Sequence, residues 1–134
     1  MQISHIEHIG IAVRSIEESL PYYQEVLGLK CYGIEEVKDQ KVRTAFFQAG
    51  QTKLELLEST DPDGAIGKFI EKRGEGIHHI AFAVKEIESA LEEARSKGIR
   101  LIDESPRLGA EGLHIAFLHP KSTHGVLTEL CENK

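Results

Sequence analysis

The sequence is poor in several residue types that mark particular protein classes. It contains no tryptophan, one methionine, four prolines and two cysteines. The cysteines, Cys31 and Cys131, are not arranged as a C-x-x-C pair. We interpret them as reduced thiols and therefore expect a protein of the cytoplasm, where disulfides are rare.

Positive charge and long apolar runs are also scarce. The net charge is -6, and no basic run interleaved with aromatic residues occurs, which argues against a general nucleic-acid-binding surface. No apolar stretch approaches membrane-spanning length, and the chain opens on a strand pattern rather than on the apolar core of a signal peptide. With 134 residues, 40% of them hydrophobic and 28% charged, the sequence is typical of one globular domain.

A short stretch and its repeat organise the chain. Residues 6–13, IEHIGIAV, return as residues 77–84, IHHIAFAV, 71 positions later. Seven of the thirteen positions from His8 to Leu20 are identical after this shift. The period is too long for a solenoid unit, and two copies indicate a duplicated small module.

The ends of the two modules repeat as well. Residues 55–58, ELLE, match residues 129–132, ELCE, after three extra residues in the second copy. Two imidazoles and two carboxylates are a plausible ligand set for a divalent metal. Common descent alone is the alternative, although a structural need would more often preserve apolar residues than an inward-facing His and Glu. The four repeated polar residues are His8, Glu55, His79 and Glu129.

Alternation along the first strand separates two kinds of side chain. His8, Gly10 and Ala12 point one way, and the aliphatic residues between them point the other. We expect the aliphatic face to pack on a helix. A His flanked by small residues is typical of a cleft, and residues 79–84 repeat the arrangement.

Local signals predict the order β-α-β-β-β for each module. Ser15 to Glu18 fit a capping box that begins a helix over about 16–27, in which Pro21 should produce a kink or shift the start. A second helix is predicted over about 86–97, and Gly98 ends it. The other predicted elements are strands at 31–37, 42–48, 52–57, 99–102, 113–119 and 126–130, a long loop at 106–112 and a short helix at 66–72.

Two such modules predict an α+β fold, with paired βαβββ modules forming a cupped mixed sheet and helices on its outer face. We expect one domain over residues 1–134. Its parts are module one at about 3–58, a linker helix at about 61–74 and module two at about 76–132.

This arrangement resembles the vicinal oxygen chelate (glyoxalase/bleomycin-resistance) superfamily over essentially the whole chain. Within it, residues 76–82 (GIHHIAF), 52–57 (TKLELL) and 119–121 (HPK) leading to 125–130 (GVLTEL) are similar to the methylmalonyl-CoA epimerase family. The resemblance implies an isomerase that interconverts the C2 epimers of methylmalonyl-CoA through a metal-stabilised enolate. It also implies a divalent ion, cobalt foremost, with nickel, manganese or zinc as alternatives. The implied ligands are His8, Glu55, His79 and Glu129.

Epimerisation requires proton exchange on both faces of a flat carbon. The resemblance makes Glu129 one acid–base group. Some members of the family carry a second Glu where this chain has Thr44, whose hydroxyl is too weak a base unaided. Three alternatives remain open for proton exchange on the second face. Glu55 takes the second catalytic role, a water held by Thr44 does so, or one group serves both faces. Members carry either Gln or Glu at the position of Glu55.

Two other functions fit the same superfamily. One is a lactoylglutathione lyase similar to glyoxalase I, and the other is a metal-free ligand-binding module similar to the bleomycin-resistance proteins. The paired His78 and His79 and the run over 119–130 favour the epimerase, and the complete ligand set disfavours the binding module. We expect a small CoA thioester as substrate, no nucleic-acid or membrane partner, and a homodimer, because open sheet edges invite pairing.

Overall fold

A computed structural model describes all residues, 1–134, and gives the following bounds. The elements are β1 (Ile3–Ala12), α1 (Ile16–Leu20), a π-helix (Pro21–Val26), β2 (Cys31–Val37), a 3-10 turn (Lys38–Gln40), β3 (Val42–Ala49), β4 (Thr52–Ser59), α2 (Ala65–Arg73), β5 (Gly76–Val84), α3 (Ile87–Ser96), β6 (Arg107–Leu108), a 3-10 turn (Ala110–Gly112), β7 (His114–Leu118) and β8 (Thr128–Glu132). The strands form one mixed sheet in the order β2-β3-β4-β1-β5-β8-β7-β6. The predicted α+β class is confirmed. No helix has the length and apolar character needed to cross a membrane.

The chain forms two compact units, and the boundaries between them fall within β1 and β5. The first unit is Ile9–His78. The second unit combines Met1–His8 with His79–Lys134.

In the first unit, the predicted helix over 16–27 is two helices of different type. Ser15 caps α1 by accepting the N–H of Glu18 at 3.2 Å, as the capping box predicts. Pro21 has no N–H to donate. From this residue the helix is of the π type, in which each hydrogen bond spans five residues, as in the bond from the Leu27 N–H to the Tyr22 carbonyl at 3.0 Å. Ile16 is fully buried and anchors α1 in the apolar core.

The strands of the first unit lie close to the predicted bounds. β3 pairs with β4 in an antiparallel register that places Phe46 opposite Glu55 and Thr44 opposite Leu57. Ile11 packs with Val13 and Ile16 in one apolar cluster, so part of the aliphatic face of β1 contacts the helix, as predicted. The short helix expected at 66–72 is α2.

In the second unit, α3 agrees with the prediction. Gly98 follows it with a φ of +83°, a conformation that glycine adopts without strain. β5 and β8 are parallel, with Ala81 opposite Glu129, and β7 and β8 are antiparallel, with Phe117 opposite Glu129. The buried face of α3, which packs toward Leu118 and Leu130, consists of Ile87, Ala90, Leu91 and Ala94.

The strand predicted at 99–102 is wrong. Only Leu101 forms a bridge, to Leu118. The side chain of Asp103 accepts the Phe117 N–H at 2.8 Å, so a carboxylate takes the place of a backbone partner and the ladder does not continue. The strand that pairs there is instead β6, which consists of two residues and lies within the loop predicted at 106–112. It runs antiparallel to β7.

Candidate metal centre

Two strands carry buried imidazoles. His8 on β1 is 3% exposed and His79 on β5 is 6% exposed. Along β1 the alternation is confirmed, because His8, Gly10 and Ala12 are buried whereas Ile9 and Ile11 are half-buried. The small residues that accompany His8 therefore belong to the more protected side of the strand, and the imidazole is shielded from water.

Three ligand atoms of the second unit converge. Nε2 of His8 lies 3.1 Å from Nε2 of His79. Oε1 of Glu129 lies 3.2 Å from Nε2 of His79 and 3.5 Å from Nε2 of His8. Donors bound at about 2.1 Å to one ion are separated by roughly 3.0 Å at octahedral angles and roughly 3.4 Å at tetrahedral angles. The three atoms therefore have the spacing of donors that share a metal ion.

Glu129 has the charge state of a ligand. Burial by itself raises the pKa of this carboxyl, but hydrogen bonds with His79 and His8, together with their charge, outweigh it and lower the pKa to about 2. The second oxygen, Oε2, is buried and has no hydrogen-bond partner. A buried, ionised carboxylate with an unsatisfied oxygen is costly unless another group compensates it, and a cation at this point would do so.

The donor chemistry agrees with the spacing. Two imidazole nitrogens and a carboxylate oxygen suit cobalt, nickel, manganese or zinc, whereas calcium and magnesium favour all-oxygen sites. The residues present thus fit a divalent transition metal.

Aromatic packing orients the imidazoles. The rings of His8 and His79 are perpendicular, at 89°, with centroids 5.1 Å apart. The Phe117 ring meets His79 at 83° and 5.4 Å, and the Arg107 guanidinium lies 5.8 Å from the Phe117 centroid. Sequence reasoning missed Phe117 as a contact of the site, although its repeat partner, Phe46, marks the position.

The predicted fourth ligand, Glu55, lies in the first unit. It is 4% exposed on β4, opposite Phe46. Thr44 is 1% exposed on β3 and pairs with Glu35 and Leu57. The converging cluster of His8, His79 and Glu129 is complete within the second unit, and the participation of Glu55 stays a prediction.

The remaining candidates have structural contacts. His78, next to His79 in sequence, is half-buried and meets the Phe69 ring edge-on at 5.1 Å. His119 accepts the Lys121 N–H at Nδ1 at 3.1 Å and so caps its turn. Cys31 is half-buried and Cys131 is 1% exposed, and no disulfide joins them.

Glu7 is a contact that sequence reasoning missed. Its Oε1 lies 2.5 Å from Nδ1 of His8. Alternation sends neighbouring strand residues to opposite faces, so adjacency gave no reason to expect the contact. The sequence signal that could have indicated this contact is an acidic residue directly before a candidate ligand.

Comparison with known proteins agrees with the fold. Residues 7–117 match the Glyoxalase/Bleomycin resistance protein/Dioxygenase superfamily. The uncharacterized protein YqjC of Bacillus subtilis (strain 168) is 47% identical over 132 residues, which cover 98% of this chain and 94% of that protein. The mitochondrial methylmalonyl-CoA epimerase of Homo sapiens is 34% identical over 129 residues, covering 96% of this chain and 73% of that one.

A solved structure is similar over nearly the whole chain. It is a variant of the Streptomyces coelicolor methylmalonyl-CoA epimerase in complex with 2-nitronate-propionyl-CoA, with a TM-score of 0.95 and 38% sequence identity. The match covers 98% of this chain and 96% of that one. The chain therefore belongs to the glyoxalase/bleomycin resistance protein/dioxygenase superfamily, in which methylmalonyl-CoA epimerases are among its relatives.

Proposed function

We propose that the protein is a metal-dependent epimerase that interconverts the C2 epimers of methylmalonyl-CoA. The observation that carries the proposal is the convergence of His8 Nε2, His79 Nε2 and Glu129 Oε1 within 3.5 Å of one another, in a chain whose relatives include methylmalonyl-CoA epimerases. The C2–H of this substrate lies between a thioester and a carboxylate, so its removal places negative charge on the thioester oxygen. A divalent ion, when bound, would supply Lewis-acid stabilisation of that charge.

His8, His79 and Glu129 would hold the ion, and we propose Glu55 as the fourth ligand. The burial of His8, His79 and Glu129, none more than 6% exposed, supports a site from which bulk water is excluded. Such exclusion strengthens the interaction of a developing charge with its stabilising groups. Cobalt is the first metal to test, followed by nickel, manganese and zinc.

Glu129 is the proposed proton carrier. Its Oε1 faces the two imidazoles, whereas its buried Oε2 has no hydrogen-bond partner. One oxygen can therefore contact the ion while the other exchanges a proton with C2. The second face of the carbon requires a further acid–base group, for which Glu55 and a water held by Thr44 are the candidates, or a second proton transfer by Glu129. We favour a ligand role alone for Glu55, because a carboxylate held on a cation has a lowered proton affinity.

Deuterium incorporation tests the proposal. The protein is stripped with a chelator, reloaded with one defined metal and incubated in D₂O with a single C2 epimer of methylmalonyl-CoA. We expect deuterium at C2 and loss of stereochemical purity that depend on the metal and disappear in His79→Ala. His78→Ala is the matched control, because it removes the adjacent imidazole outside the cluster, and it should retain both signals.

Two outcomes would replace the proposal. Lactoylglutathione formation from the glutathione hemithioacetal, without exchange at C2, would identify the lyase. Purified protein that retains no transition metal and catalyses neither reaction would identify the ligand-binding module.

We also propose that the protein is a cytoplasmic homodimer. The sequence supports a reducing compartment, because its two cysteines are few and form no C-x-x-C pair. Exposed apolar side chains on β1 and β5, including Ile3, Ile6 and Ile77, support self-association. Light scattering at micromolar concentration checks this, and a monomeric mass would refute it.

A further inference from the structure

A carboxylate lies behind one of the two imidazoles. Oε1 of Glu7 is 2.5 Å from Nδ1 of His8, while the other nitrogen of the same ring, Nε2, faces His79 and Glu129. The ring of His8 is thus held between an acidic residue and the candidate metal centre. All four residues belong to the second unit.

The contact determines which nitrogen carries the proton. A neutral imidazole has one N–H donor and one lone-pair acceptor, and an ionised carboxylate only accepts. Nδ1–H of His8 therefore donates to Glu7, and Nε2 is left as the nitrogen that a metal ion would take when it binds. The side chains of His8 and Glu7 are only 4% and 12% exposed, so water competes little for this bond.

We propose that Glu7 is a positioning residue, which fixes the tautomer and the ring orientation of His8 so that Nε2 is presented to the metal. The inference rests on the proposed role of His8 as a ligand. Glu7 acts through the imidazole and contacts neither substrate nor ion. Histidine ligands commonly donate their second N–H to a carboxylate or carbonyl, and loss of that partner lowers metal affinity roughly 10- to 100-fold.

The internal repeat does not carry this glutamate into the second copy. At the shift of 71 positions that aligns His8 with His79, Glu7 aligns with His78. His78 packs edge-on against Phe69. The two candidate ligands therefore differ in the residue that precedes them, so the carboxylate beside His8 is not a feature inherited by both copies.

A neighbouring thiol provides a local control. Ligand atoms of Glu7, His8 and Cys131 lie within 4.8 Å of one another, and Sγ of Cys131 donates to the Phe82 carbonyl at 3.5 Å. Cys131→Ala changes the surroundings of the pair without removing the acceptor. If this variant lost as much affinity for Co²⁺ as Glu7→Ala, the thiol would be part of the metal site and the positioning role would be rejected.

The first experiment uses the metal-free protein. Long-range ¹H–¹⁵N correlation spectra show which ring nitrogens of His8 carry a proton, and we expect a proton on Nδ1 in the wild type. Glu7→Ala should shift the ring to a mixture of tautomers, whereas Glu7→Gln, whose side-chain carbonyl still accepts, should retain Nδ1–H. A wild-type ring with no proton on Nδ1, or an unchanged spectrum in Glu7→Ala, would overturn the inference.

The second experiment measures Co²⁺ affinity by calorimetric titration. Glu7→Ala should bind roughly 10- to 100-fold more weakly, Glu7→Gln should lose less, and Cys131→Ala should match the wild type. If Glu7→Ala does not fold, Glu7→Asp replaces it, because the retracted carboxylate predicts a loss in the same direction. Wild-type affinity in the folded Ala or Asp variant rejects the role.

These readouts separate the inference from the proposed function. Neither requires turnover, so an absence of epimerase activity leaves the tautomer and affinity results to stand by themselves. Undiminished Co²⁺ binding in His8→Ala would reject the ligand role of His8 and, with it, the reason for Glu7 to position the ring.

Discussion

The two copies of the repeat pair their strands in the same register, but the paired residues contact different neighbours. In the first unit Phe46 pairs with Glu55, and in the second unit Phe117 pairs with Glu129 at the equivalent positions. Both glutamates are buried. The Phe117 ring packs against His79, however, whereas the Phe46 ring stacks at 5.7 Å on Tyr32, which is 46% exposed.

The two histidines lie in one compact unit, whereas the two glutamates lie in different units. His8 belongs to the first copy of the repeat but to the second compact unit, so both imidazoles and Glu129 lie in one unit. Glu55 is the only predicted ligand in the other. Matching positions in a duplicated sequence therefore need not have matching chemistry, and the predictions below test how far the two glutamates differ.

The largest effect is expected for Glu129→Gln. The amide keeps an oxygen donor but does not carry a proton at neutral pH, so the epimerisation rate should fall about 100- to 10,000-fold. Turnover with a single epimer, measured alongside metal content, checks this. A loss below about tenfold with metal retained would show that Glu129 is a ligand only, and would remove the functional difference between the glutamates.

Core truncation compares the two units in stability. Leu56 and Leu130 occupy equivalent positions beside the two glutamates and are 0% and 2% exposed. Leu56→Ala and Leu130→Ala should each reduce the free energy of unfolding by about 2–5 kcal/mol, because each leaves a cavity in a packed core. Urea denaturation measures both. A cost under about 1 kcal/mol at either site would mean that the core of that unit relaxes to fill the space.

Substitutions at Thr44 test the acid that the resemblance to the epimerase family implies at this position. This side chain is 1% exposed, so Thr44→Glu and the size-matched Thr44→Gln should both lose about 1–3 kcal/mol of stability through overpacking. The Glu variant should be the more active of the two, because only it transfers protons. A folded Thr44→Glu protein that holds metal but has no activity would argue against placing Thr44 beside the substrate.

The smallest effect is expected for Glu55→Gln. The resemblance to the epimerase family implies that either Gln or Glu is tolerated at this position. Activity should therefore fall less than about tenfold, which corresponds to a rise of about 1.4 kcal/mol in the activation barrier. Parallel kinetics with Glu129→Gln provide the comparison. An equally severe loss would assign Glu55 the second acid–base role and would make the two glutamates functionally equivalent.

The sequence was most informative where one local signal coincided with a repeated one. The helix that ends before Gly98 was predictable in this way, and the repeated residues His8, His79 and Glu129 lie together in the structure. Periodicity and capping are local properties of the chain. The repeat supplied the long-range information, because two copies that match in sequence predict equivalent strand pairing.

The errors have a different origin. The strand expected at 99–102 was lost because the Asp103 side chain accepts the Phe117 N–H, and the helix changed type because Pro21 lacks a donor. Alternation gives the direction of a Cβ atom but not the end point of a flexible side chain. For that reason the contact from Glu7 to His8 was missed.

The difference in exposure between the two thiols makes the buried one a probe of local opening. Cys31 is half-buried, whereas Cys131, on the strand that carries Glu129, is 1% exposed. An alkylating reagent can therefore reach Cys131 only during an opening of β8 and its neighbours, and the rate of labelling reports the free energy of that opening. Because a ligand that binds only the closed state slows the opening, the reactivity of one buried sulfur would record metal occupancy in real time.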